Sequence, residues 1–327
     1  MRELKIGKND AGQRLDKFIT KTLDLPTSLL YKSIRLKKIK VNRKRAEINT
    51  ILKEGDTIQC FLAEEFFSKL DGEAGEVRAS LDKINPTLDI IYEDENIILL
   101  NKQPGVSVHE DEHESLTTLV VQLQAYLYHK GEYDPTSEMS FAPALCNRID
   151  KNTGGIVIAA KNAEALRIMN EKIKLREIDK YYLAAVHGIP SLREDTLYGY
   201  LLKDEKQNQV RVYTKNPPRE AKKIITKYRV IATSGDNALL EVELLTGRTH
   251  QIRAHMAFIG HPLIGDGKYG ENKADRKKGF KHQALYSYKL RFSFKTDAGI
   301  LEYLNGKEFS IPKDTIYFTG EFFGRQN

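Results

Sequence analysis

Cysteine is scarce in this chain, since Cys60 and Cys146 are the only two among its 327 residues. Two distant cysteines form neither a disulfide framework nor a closely spaced metal cluster, so we expect two reduced thiols in a cytosolic protein. Residues 1–5 lack an apolar signal segment, and no apolar run approaches the length of a transmembrane helix. These absences predict a cytoplasmic protein with no membrane partner.

Common signatures of small-molecule enzymes are missing as well. The sequence contains no G-x-S-x-G nucleophile elbow and no H-E-x-x-H zinc pair. Gly260 and Gly265 have the gap of a phosphate-binding P-loop, but Asp266 follows where that motif requires lysine. The sequence therefore favours none of these three enzyme classes.

Three histidines lie close together in sequence, at His250, His255 and His261. Their spacing does not place them on one helical face, and no cysteine or acid stands near them at the intervals of metal ligands. We interpret them as structural residues and predict no metal site.

Lysine and arginine outnumber aspartate and glutamate by 52 to 45, and the resulting net charge of +7 favours an anionic partner. Residues 31–45 contain eight basic side chains and no acid. A solvated surface usually mixes charges because like charges repel, so a cluster of one sign suits the phosphate backbone of RNA or DNA. This basic cluster consists of Lys32, Arg35, Lys37, Lys38, Lys40, Arg43, Lys44 and Arg45.

Changes in composition divide the chain into a small N-terminal module (residues 1–63), a charged linker with a helical turn or two (64–87) and a large domain (88–327). In the module, apolar residues at helical spacing and two alternating segments predict helices over 15–23 and 27–34, and strands at 39–42 and 57–61.

Strand-like segments dominate the large domain. They lie at 89–92, 97–100, 156–160, 180–186, 224–231 and 239–245. Helices are expected from Ser115, Asn162 and Thr249, each of which can begin a helix. Because strands and helices alternate irregularly, we predict an α+β fold with a mixed, largely antiparallel sheet and flanking helices, plus the small N-terminal α/β module.

Asp150 stands in the most unusual segment, N-R-I-D-K-N-T-G-G at residues 147–155, directly before an apolar run. Threonine, asparagine and paired glycines are typical of a shaped loop that presents one acid at the edge of a sheet. The second unusual segment, T-G-R-T-H-Q-I-R at 246–253, ends in Arg253. We hypothesise that the acid and the arginine share one site, although spacing alone does not bring them together.

Both segments resemble those of RNA pseudouridine synthases of the type that acts on large-subunit ribosomal RNA. Residues 147–155 are similar to the family's H-R-L-D-x-x-T-S-G, with Asn147 in place of the usual His and Gly154 in place of the usual Ser. K-Y-Y-L-A at 180–184 is similar to K-x-Y-x-A, and 246–255 matches T-G-R-T-H-Q-I-R-x-H. Residues 1–63 resemble an RNA-binding module first seen in a small-subunit ribosomal protein.

The resemblance implies an enzyme that isomerises specific uridines to pseudouridine in structured RNA without a cofactor or a metal. It implies that Asp150 is the catalytic carboxylate, that Tyr182 stacks on a flipped uracil, and that Arg253 holds the carboxylate. Whether Asp150 attacks the ribose or the base, or assists elimination, stays open at this point. Further RNA contacts are expected from Arg148, Lys180 and Arg248.

The N-terminal module favours large-subunit ribosomal RNA as the substrate, because relatives without it often modify transfer RNA. Two alternatives remain: a transfer RNA substrate, and a non-catalytic RNA-binding factor for ribosome assembly built on the same scaffold. In each case we expect a monomer that binds RNA and not DNA.

Overall fold

The computed structural model describes residues 1–108, 118–204 and 209–324. Residues 1–63 contain helices α1 (Leu15–Thr22) and α2 (Thr27–Arg35) and strands β1 (Arg2–Lys5), β2 (Ile39–Val41), β3 (Lys44–Arg45) and β4 (Thr57–Cys60). The strands form an antiparallel sheet in the order β1-β4-β2-β3. Leu15, Phe18 and Ile19 are fully buried beneath it, so the helical spacing of these residues reflects a real core.

A helix follows this module where the composition predicts a linker with a helical turn or two. A short 3-10 helix (Glu64–Phe67) leads into α3 (Ser68–Leu81), which is 14 residues long. Phe67 packs into the core of residues 1–63, and Leu81 packs into a second core beneath the large sheet. These two apolar anchors explain why a charged, glycine-containing segment is helical over most of its length.

The large domain is built on an 11-stranded sheet. Its strands are β5 (Ile90–Glu93), β6 (Ile97–Lys102), β7 (Ala144–Leu145), β8 (Gly154–Ala160), β9 (Ile178–His187), β10 (Glu194–Asp204), β11 (Gln209–Tyr213), β12 (Lys222–Ser234), β13 (Asn237–Leu244), β14 (Leu285–Phe292) and β15 (Glu308–Ser310). The order is β11-β10-β12-β13-β9-β14-β8-β6-β5, with β15 beside β14 and β7 beside β8. Within the described residues only β14 and β8 pair in parallel, which confirms the predicted mixed, largely antiparallel sheet.

Helices cover both faces of this sheet. They are α4 (Leu119–His129), α5 (Ala163–Leu175), α6 (Gln251–Phe258), α7 (Lys273–Lys277) and α8 (Gly320–Phe323), with short 3-10 helices at Gly299–Leu304 and Lys313–Thr315. The predicted cap Asn162 is confirmed, since its side chain accepts a hydrogen bond from the backbone N of Ala165 at 2.8 Å. The predicted helix start at Ser115 lies outside the described residues, within which α4 begins at Leu119.

The packing of the sheet places α4 and α6 on one face and α5 on the other. Alternate residues of β8 point to the two faces, and all seven are buried. Ile158 packs in the core that includes Met169 of α5, whereas Val157 packs in the core that includes Leu123 of α4. Ile149 contacts both the α4 core and the α6 core, so the segment around it lies between these two helices.

No helix in the part of the chain that the structure describes combines the length and the apolar character needed to cross a bilayer.

Candidate active site

Asp150 lies in a tight turn just before β8. The backbone N of Thr153 donates to the carbonyl of Asp150 at 2.9 Å, which closes the turn. The turn presents the Asp150 carboxylate to solvent with 25% of the side chain exposed. The predicted acid-presenting loop at the edge of the sheet is therefore found, and we refer to residues 150–153 as the Asp150 loop.

Lys102 holds this loop from the end of β6. Its side chain is 1% exposed, and its ammonium donates to three backbone carbonyls: Lys151 at 2.8 Å, Val106 at 2.9 Å and Gln103 at 3.1 Å. Burial lowers the pKa of Lys102 to about 7, and the negative charge of Asp150 opposes that shift. Three N–H donors match three carbonyls, so the ammonium form fixes the loop backbone.

Arg253 connects the Asp150 loop to α6. Its Nη1 donates to Oδ2 of Asp150 at 2.8 Å, while its Nε and Nη2 donate to the two oxygens of Asp266 at 2.7 and 2.9 Å. Burial alone lowers the pKa of Arg253, but the hydrogen bonds and charge of Asp266 outweigh it and raise the pKa. The structure thus brings together the acid and the arginine that the sequence left apart.

Asp266 is a further part of this arrangement. It is buried, and the backbone N groups of Lys268 and Tyr269 donate to its Oδ1 at 2.9 and 3.2 Å. Burial raises the pKa of Asp266, but the hydrogen bonds and the charge of Arg253 lower it by a larger amount. The net pKa is below its usual value, so Asp266 is held as a carboxylate. Asp266 therefore fixes the orientation of Arg253, and Arg253 in turn fixes Asp150.

His250 lies at the start of α6 beside the carboxylate. Its Nε2 is 3.8 Å from Oδ2 of Asp150, and its Nδ1 lies 2.9 Å from the hydroxyl of Tyr269, which accepts from the backbone N of Val210 at 2.9 Å. With that hydroxyl as the donor to Nδ1, the imidazole proton is on Nε2, facing Asp150. Burial lowers the pKa of His250, against the opposing charge of Asp150.

The sequence predicts that Thr249 begins α6. The helix instead begins two residues later, at Gln251. His250 has a φ of 54°, in the left-handed region, and cannot belong to the helix. Its contact with Tyr269 explains why a non-glycine residue tolerates this conformation.

Tyr182 lies on β9 on the face that α6 covers. It packs with Ile252 of α6 and with Ile149, the residue before Asp150, and is 6% exposed. Burial raises its pKa to about 12, and the negative charge of Asp150 adds to the rise. Tyr182 is therefore a neutral phenol at physiological pH, close to the same carboxylate.

The two departures from the family pattern have structural explanations. A Cβ atom on Gly154 would lie 2.3 Å from Cε2 of Tyr286, so the ring of Tyr286 occupies the space of the usual serine side chain. Asn147 accepts a hydrogen bond from the backbone N of Ile158 at 2.7 Å and so ties the chain before the loop to β8. Neither departure touches the contact between Asp150 and Arg253.

Three further predicted RNA-binding residues lie in the large domain. Arg148 and Arg248 are exposed, next to the Asp150 loop and just before α6. Lys180 is on β9, two residues before Tyr182, and burial lowers its pKa. All three are in the chain segments that build the site.

The basic cluster of the N-terminal module is a separate surface. Seven of its eight members are exposed, and Lys40 is half-buried. The Nζ of Lys40 lies 5.4 Å from the ring centre of Phe61, which is itself an exposed aromatic residue. The members lie on α2, on β2 and β3 and in the turns between them.

The three histidines make separate contacts. His255 is buried with its Nδ1 3.0 Å from the hydroxyl of Thr226, and Nδ1 of His261 lies 3.0 Å from the carbonyl of His187. In the described ranges, no group of three or more histidine, cysteine, aspartate or glutamate side chains is arranged to hold a metal. Cys60 and Cys146 are both free thiols.

Sequence reasoning missed several residues of the site. Lys102 precedes a turn and carries no local signal of its burial, and Tyr269 and Gln283 come to the site from distant segments. Gln283 donates to the hydroxyl of Thr153 in the loop at 3.2 Å. Residues 260–266 continue the family resemblance, which makes Asp266 visible in the sequence, but nothing local predicts its contact with Arg253.

The family model for RNA pseudouridylate synthase matches residues 96–258, a range that includes Asp150, Tyr182 and Arg253. An uncharacterized RNA pseudouridine synthase of Mycoplasma genitalium is 33% identical over 88% of this chain and 88% of its own length. A ribosomal large subunit pseudouridine synthase C of Vibrio vulnificus is 31% identical over 88% of this chain and 87% of its own.

Solved structures show the same fold. Human RNA pseudouridylate synthase domain containing 4 has a TM-score of 0.55, with 20% identity over 76% of this chain and 96% of that one. Human RNA pseudouridylate synthase domain containing 1 has a TM-score of 0.54, with 23% identity over 71% of this chain and 87% of that one. Sequence identity of this extent to the bacterial relatives places the chain in the RNA pseudouridine synthase family, whose members isomerise uridine in RNA to pseudouridine.

Proposed function

We propose that this enzyme modifies large-subunit ribosomal RNA and that Asp150 is its catalytic carboxylate. The observation that carries the second part is the 2.8 Å hydrogen bond from Arg253 to Asp150, in a chain of contacts that includes Asp266. The relatives named ribosomal large subunit pseudouridine synthase C support the first part.

The reaction requires that the bond between N1 of uracil and C1′ of ribose breaks and that a bond between C5 and C1′ forms. C5 gives up its hydrogen and N1 gains one, so the product has the same formula as the substrate. The enzyme must therefore provide a group that assists cleavage at C1′ or adds to the base, a surface that holds the freed uracil while it turns, and an acceptor for the C5 proton.

Asp150 meets the first requirement. Arg253 binds its Oδ2, and none of the hydrogen bonds of the described residues reaches its Oδ1. The carboxylate is held in one orientation and is still exposed enough to meet a nucleotide. Attack on the ribose, attack on the base and assistance to elimination are all open to a carboxylate in this position.

Tyr182 meets the second requirement and is a candidate for the third. Its ring lies in the floor of the site, where stacking on an extruded base contributes about 1–3 kcal/mol. Because this phenol is neutral, its hydroxyl is a candidate only as a relay, which passes its own proton to a neighbouring acceptor as it takes the C5 proton. Extrusion of the base costs a few kcal/mol and costs least in loops, which favours a target uridine outside a regular helix.

The separate hydrophobic core of residues 1–63 supports different roles for the two parts of the chain. We propose that residues 1–63 bind RNA through the basic cluster, that residues 64–87 connect, and that residues 88–327 carry out catalysis. Exposed lysines and arginines of the cluster release counterions from RNA and supply affinity without sequence preference. Arg148, Arg248 and Lys180 would contact the backbone next to the target uridine.

Pseudouridine mapping in cellular RNA tests the proposed substrate. Total RNA from cells with the gene, without it, and with only the Asp150→Asn variant would be compared at every uridine. We expect one or more pseudouridines of large-subunit ribosomal RNA to disappear in both altered strains. Loss at transfer RNA positions instead would replace the ribosomal substrate, and no loss with Asp150→Asn would favour a non-catalytic RNA-binding factor.

A further inference from the structure

The N-terminal module contacts the large domain through the loop between β1 and α1. Oδ1 of Asp10 accepts from the hydroxyl of Ser140 at 2.6 Å and from its backbone N at 3.2 Å. Nε2 of Gln13 donates to the same hydroxyl at 2.7 Å. The Ser140 hydroxyl therefore donates once and accepts once, and both partners belong to the module.

A second group of contacts lies at the start of α5. The side chain of Asn9 donates to Oε1 of Glu138 at 2.7 Å and accepts from the backbone N of Ala163 at 3.1 Å. Ala163 is the first residue of α5, so its N–H has no partner inside the helix and is satisfied by the module. Nη1 of Arg167 on α5 donates to the carbonyl of Ala11 at 3.0 Å.

Burial makes these contacts specific. Asp10 is 3% exposed, and Met139, which lies between Glu138 and Ser140, packs against the module's core. A buried carboxylate is costly unless its hydrogen bonds are made, and here donors of the large domain contribute to them. A module that rotated or shifted on the large domain would break several of these bonds at once. We refer to residues 9–13, 138–140, 163 and 167 as the docking contact.

The docking contact is at the far end of β8 from the Asp150 loop. The loop precedes β8, and α5 follows it after Asn162. Seven strand residues at about 3.3 Å each span roughly 23 Å. The rigid central strand thus separates the module's attachment from the catalytic carboxylate by a fixed length.

We propose that the docking contact fixes the position of the basic cluster relative to Asp150, so that the enzyme selects a uridine at a set spacing from the RNA that the module binds. The proposal rests on the proposed function for the roles of the cluster and of Asp150. An RNA whose uridine lies at this spacing contacts the basic cluster and the catalytic site at the same time. An RNA whose uridine lies elsewhere contacts only one of the two. Asn9, Asp10, Gln13 and Ser140 are in this sense positioning residues that determine specificity.

Distance measurement between the two parts tests the geometry without any activity. Spin labels on Glu54→Cys and Lys295→Cys, both exposed positions, would report the distance distribution in the full-length protein. We expect one narrow distribution, which broadens when the contact is broken from the module side (Asp10→Ala) or from the other side (Ser140→Ala). A broad distribution without either substitution, or a narrow one with both, would overturn the docking contact.

A control variant separates docking from the general condition of the module. Thr22→Val removes a buried hydroxyl that donates to the carbonyl of Phe18 at 2.9 Å, a hydrogen bond that lies entirely within the module. We expect this variant to keep the narrow distribution. Because Ser140 is outside the module, broadening with Ser140→Ala cannot come from an unfolded module core.

Turnover of two RNAs tests the selection. The RNAs are a long transcript around the mapped uridine and a minimal stem-loop that reaches only the large domain. We expect the ratio of kcat/KM for the long RNA to that for the stem-loop to fall about tenfold in Asp10→Ala and Ser140→Ala, and to stay unchanged in Thr22→Val. An unchanged ratio despite a broad distance distribution would refute the selection. If the unaltered protein modifies neither RNA, the proposed function is wrong. The spin-label distances still test the docking contact in that case, because they do not depend on activity.

Discussion

Single side chains hold the catalytic loop from two directions. Lys102 binds the loop through the carbonyl of Lys151 and the neighbouring turn through those of Gln103 and Val106, while Arg253 binds the Asp150 carboxylate. Both are buried basic side chains that make three hydrogen bonds each, and hydrogen bonds of this kind can give precise geometry. The loop is therefore placed by charge-assisted hydrogen bonds and not by packing alone.

Replacement of Lys102 tests this placement. In Lys102→Met three carbonyls lose the ammonium donor; Lys151 keeps the backbone N of Gly105 and Gln103 that of Val106, whereas Val106 has no second donor among the described residues. A buried carbonyl left unsatisfied costs about 1–3 kcal/mol unless the loop moves. We expect the loop to move, so that kcat falls at least about tenfold while KM changes less than threefold, because a small misplacement of a catalytic group is costly. Single-turnover kinetics would measure this. A change confined to KM would contradict the positioning role.

The buried imidazole of His255 gives a pH prediction for stability. Burial lowers its pKa from 6.5 to about 4 in the folded protein. Between pH 6.5 and about 4, His255 is protonated in the unfolded chain but not in the folded protein. The contribution of neutral His255 to the free energy of unfolding is therefore complete above pH 6.5 and is lost as the pH falls to about 4. The loss is about 3 kcal/mol.

Urea unfolding at several pH values measures this contribution. We expect the free energy of unfolding of His255→Gln to depend less on pH between 6.5 and 4 than that of the unaltered protein. Parallel pH profiles for the two proteins would show that His255 does not titrate as described.

At the scale of elements, β8 and β14 organise the site through their close approach. Gly155, with a φ of +112°, would place a Cβ 2.2 Å from the carbonyl oxygen of Ser287, so the parallel pair forms only with glycine there. Tyr286 fills the space beside Gly154 and donates from its hydroxyl to Asn101 at 2.6 Å. The glycine pair is therefore required by the neighbouring strand as well as by the turn.

Restoring the family's usual serine at position 154 tests this packing. Gly154→Ser forces its Cβ against the Tyr286 ring, so we expect a loss of about 1–3 kcal/mol in the free energy of unfolding. The loss should shrink when Tyr286→Ala is also present, because the clash is then gone. Additive losses in this double-mutant cycle would contradict the account. Gly247→Ser, whose Cβ meets nothing within 4 Å, is the control and should stay within about 0.5 kcal/mol.

The sequence predicts elements better than their junctions. The core helices and strands carry clear apolar periods, and Asn162 is a clear cap, so β8, β9 and α5 are close to expectation. The hairpin of β10 and β11 and the buried strand β14 are missed, although all three strands carry apolar residues at strand spacing. The start of α6 is misplaced because His250 adopts a left-handed φ that depends on Tyr269, a contact between segments that no local pattern encodes.

The site divides in the same way. Asp150 and Arg253 are identified from their segments, yet their meeting depends on the order of the strands. Lys102 is invisible to local reasoning because its partners are backbone carbonyls created by the fold. Long-range contacts of this kind are fixed by tertiary packing and carry no signature in the neighbouring sequence.

At the scale of the whole molecule, charge is distributed unevenly. The basic cluster of the N-terminal module is of one sign, and the docking contact joins the module to the large domain. Neutralising Lys37, Lys38 and Lys40 as glutamines should weaken RNA binding. The negative slope of log affinity against log salt should become shallower by about 2, because three phosphate contacts are lost.

Fluorescence anisotropy across a salt series would measure that slope. A triple variant of Lys174, Lys295 and Lys307, which are exposed on the side of the sheet that α5 covers, makes the same change in net charge elsewhere. We expect the slope of this control to stay near that of the unaltered protein. Equal slopes for the two triple variants would show that the basic cluster is not the main RNA-binding surface.

The central claim is that the Asp150 carboxylate, held by Arg253, carries out the isomerisation. C5 of uridine loses its hydrogen in the reaction, so release of tritium from RNA made with 5-tritiated uridine counts turnovers directly. With purified protein in excess, we predict that Asp150→Asn still binds RNA but releases no tritium above background, while Asp236→Asn, an exposed turn residue, releases it at the unaltered rate. Tritium release by Asp150→Asn at the unaltered rate would contradict the account.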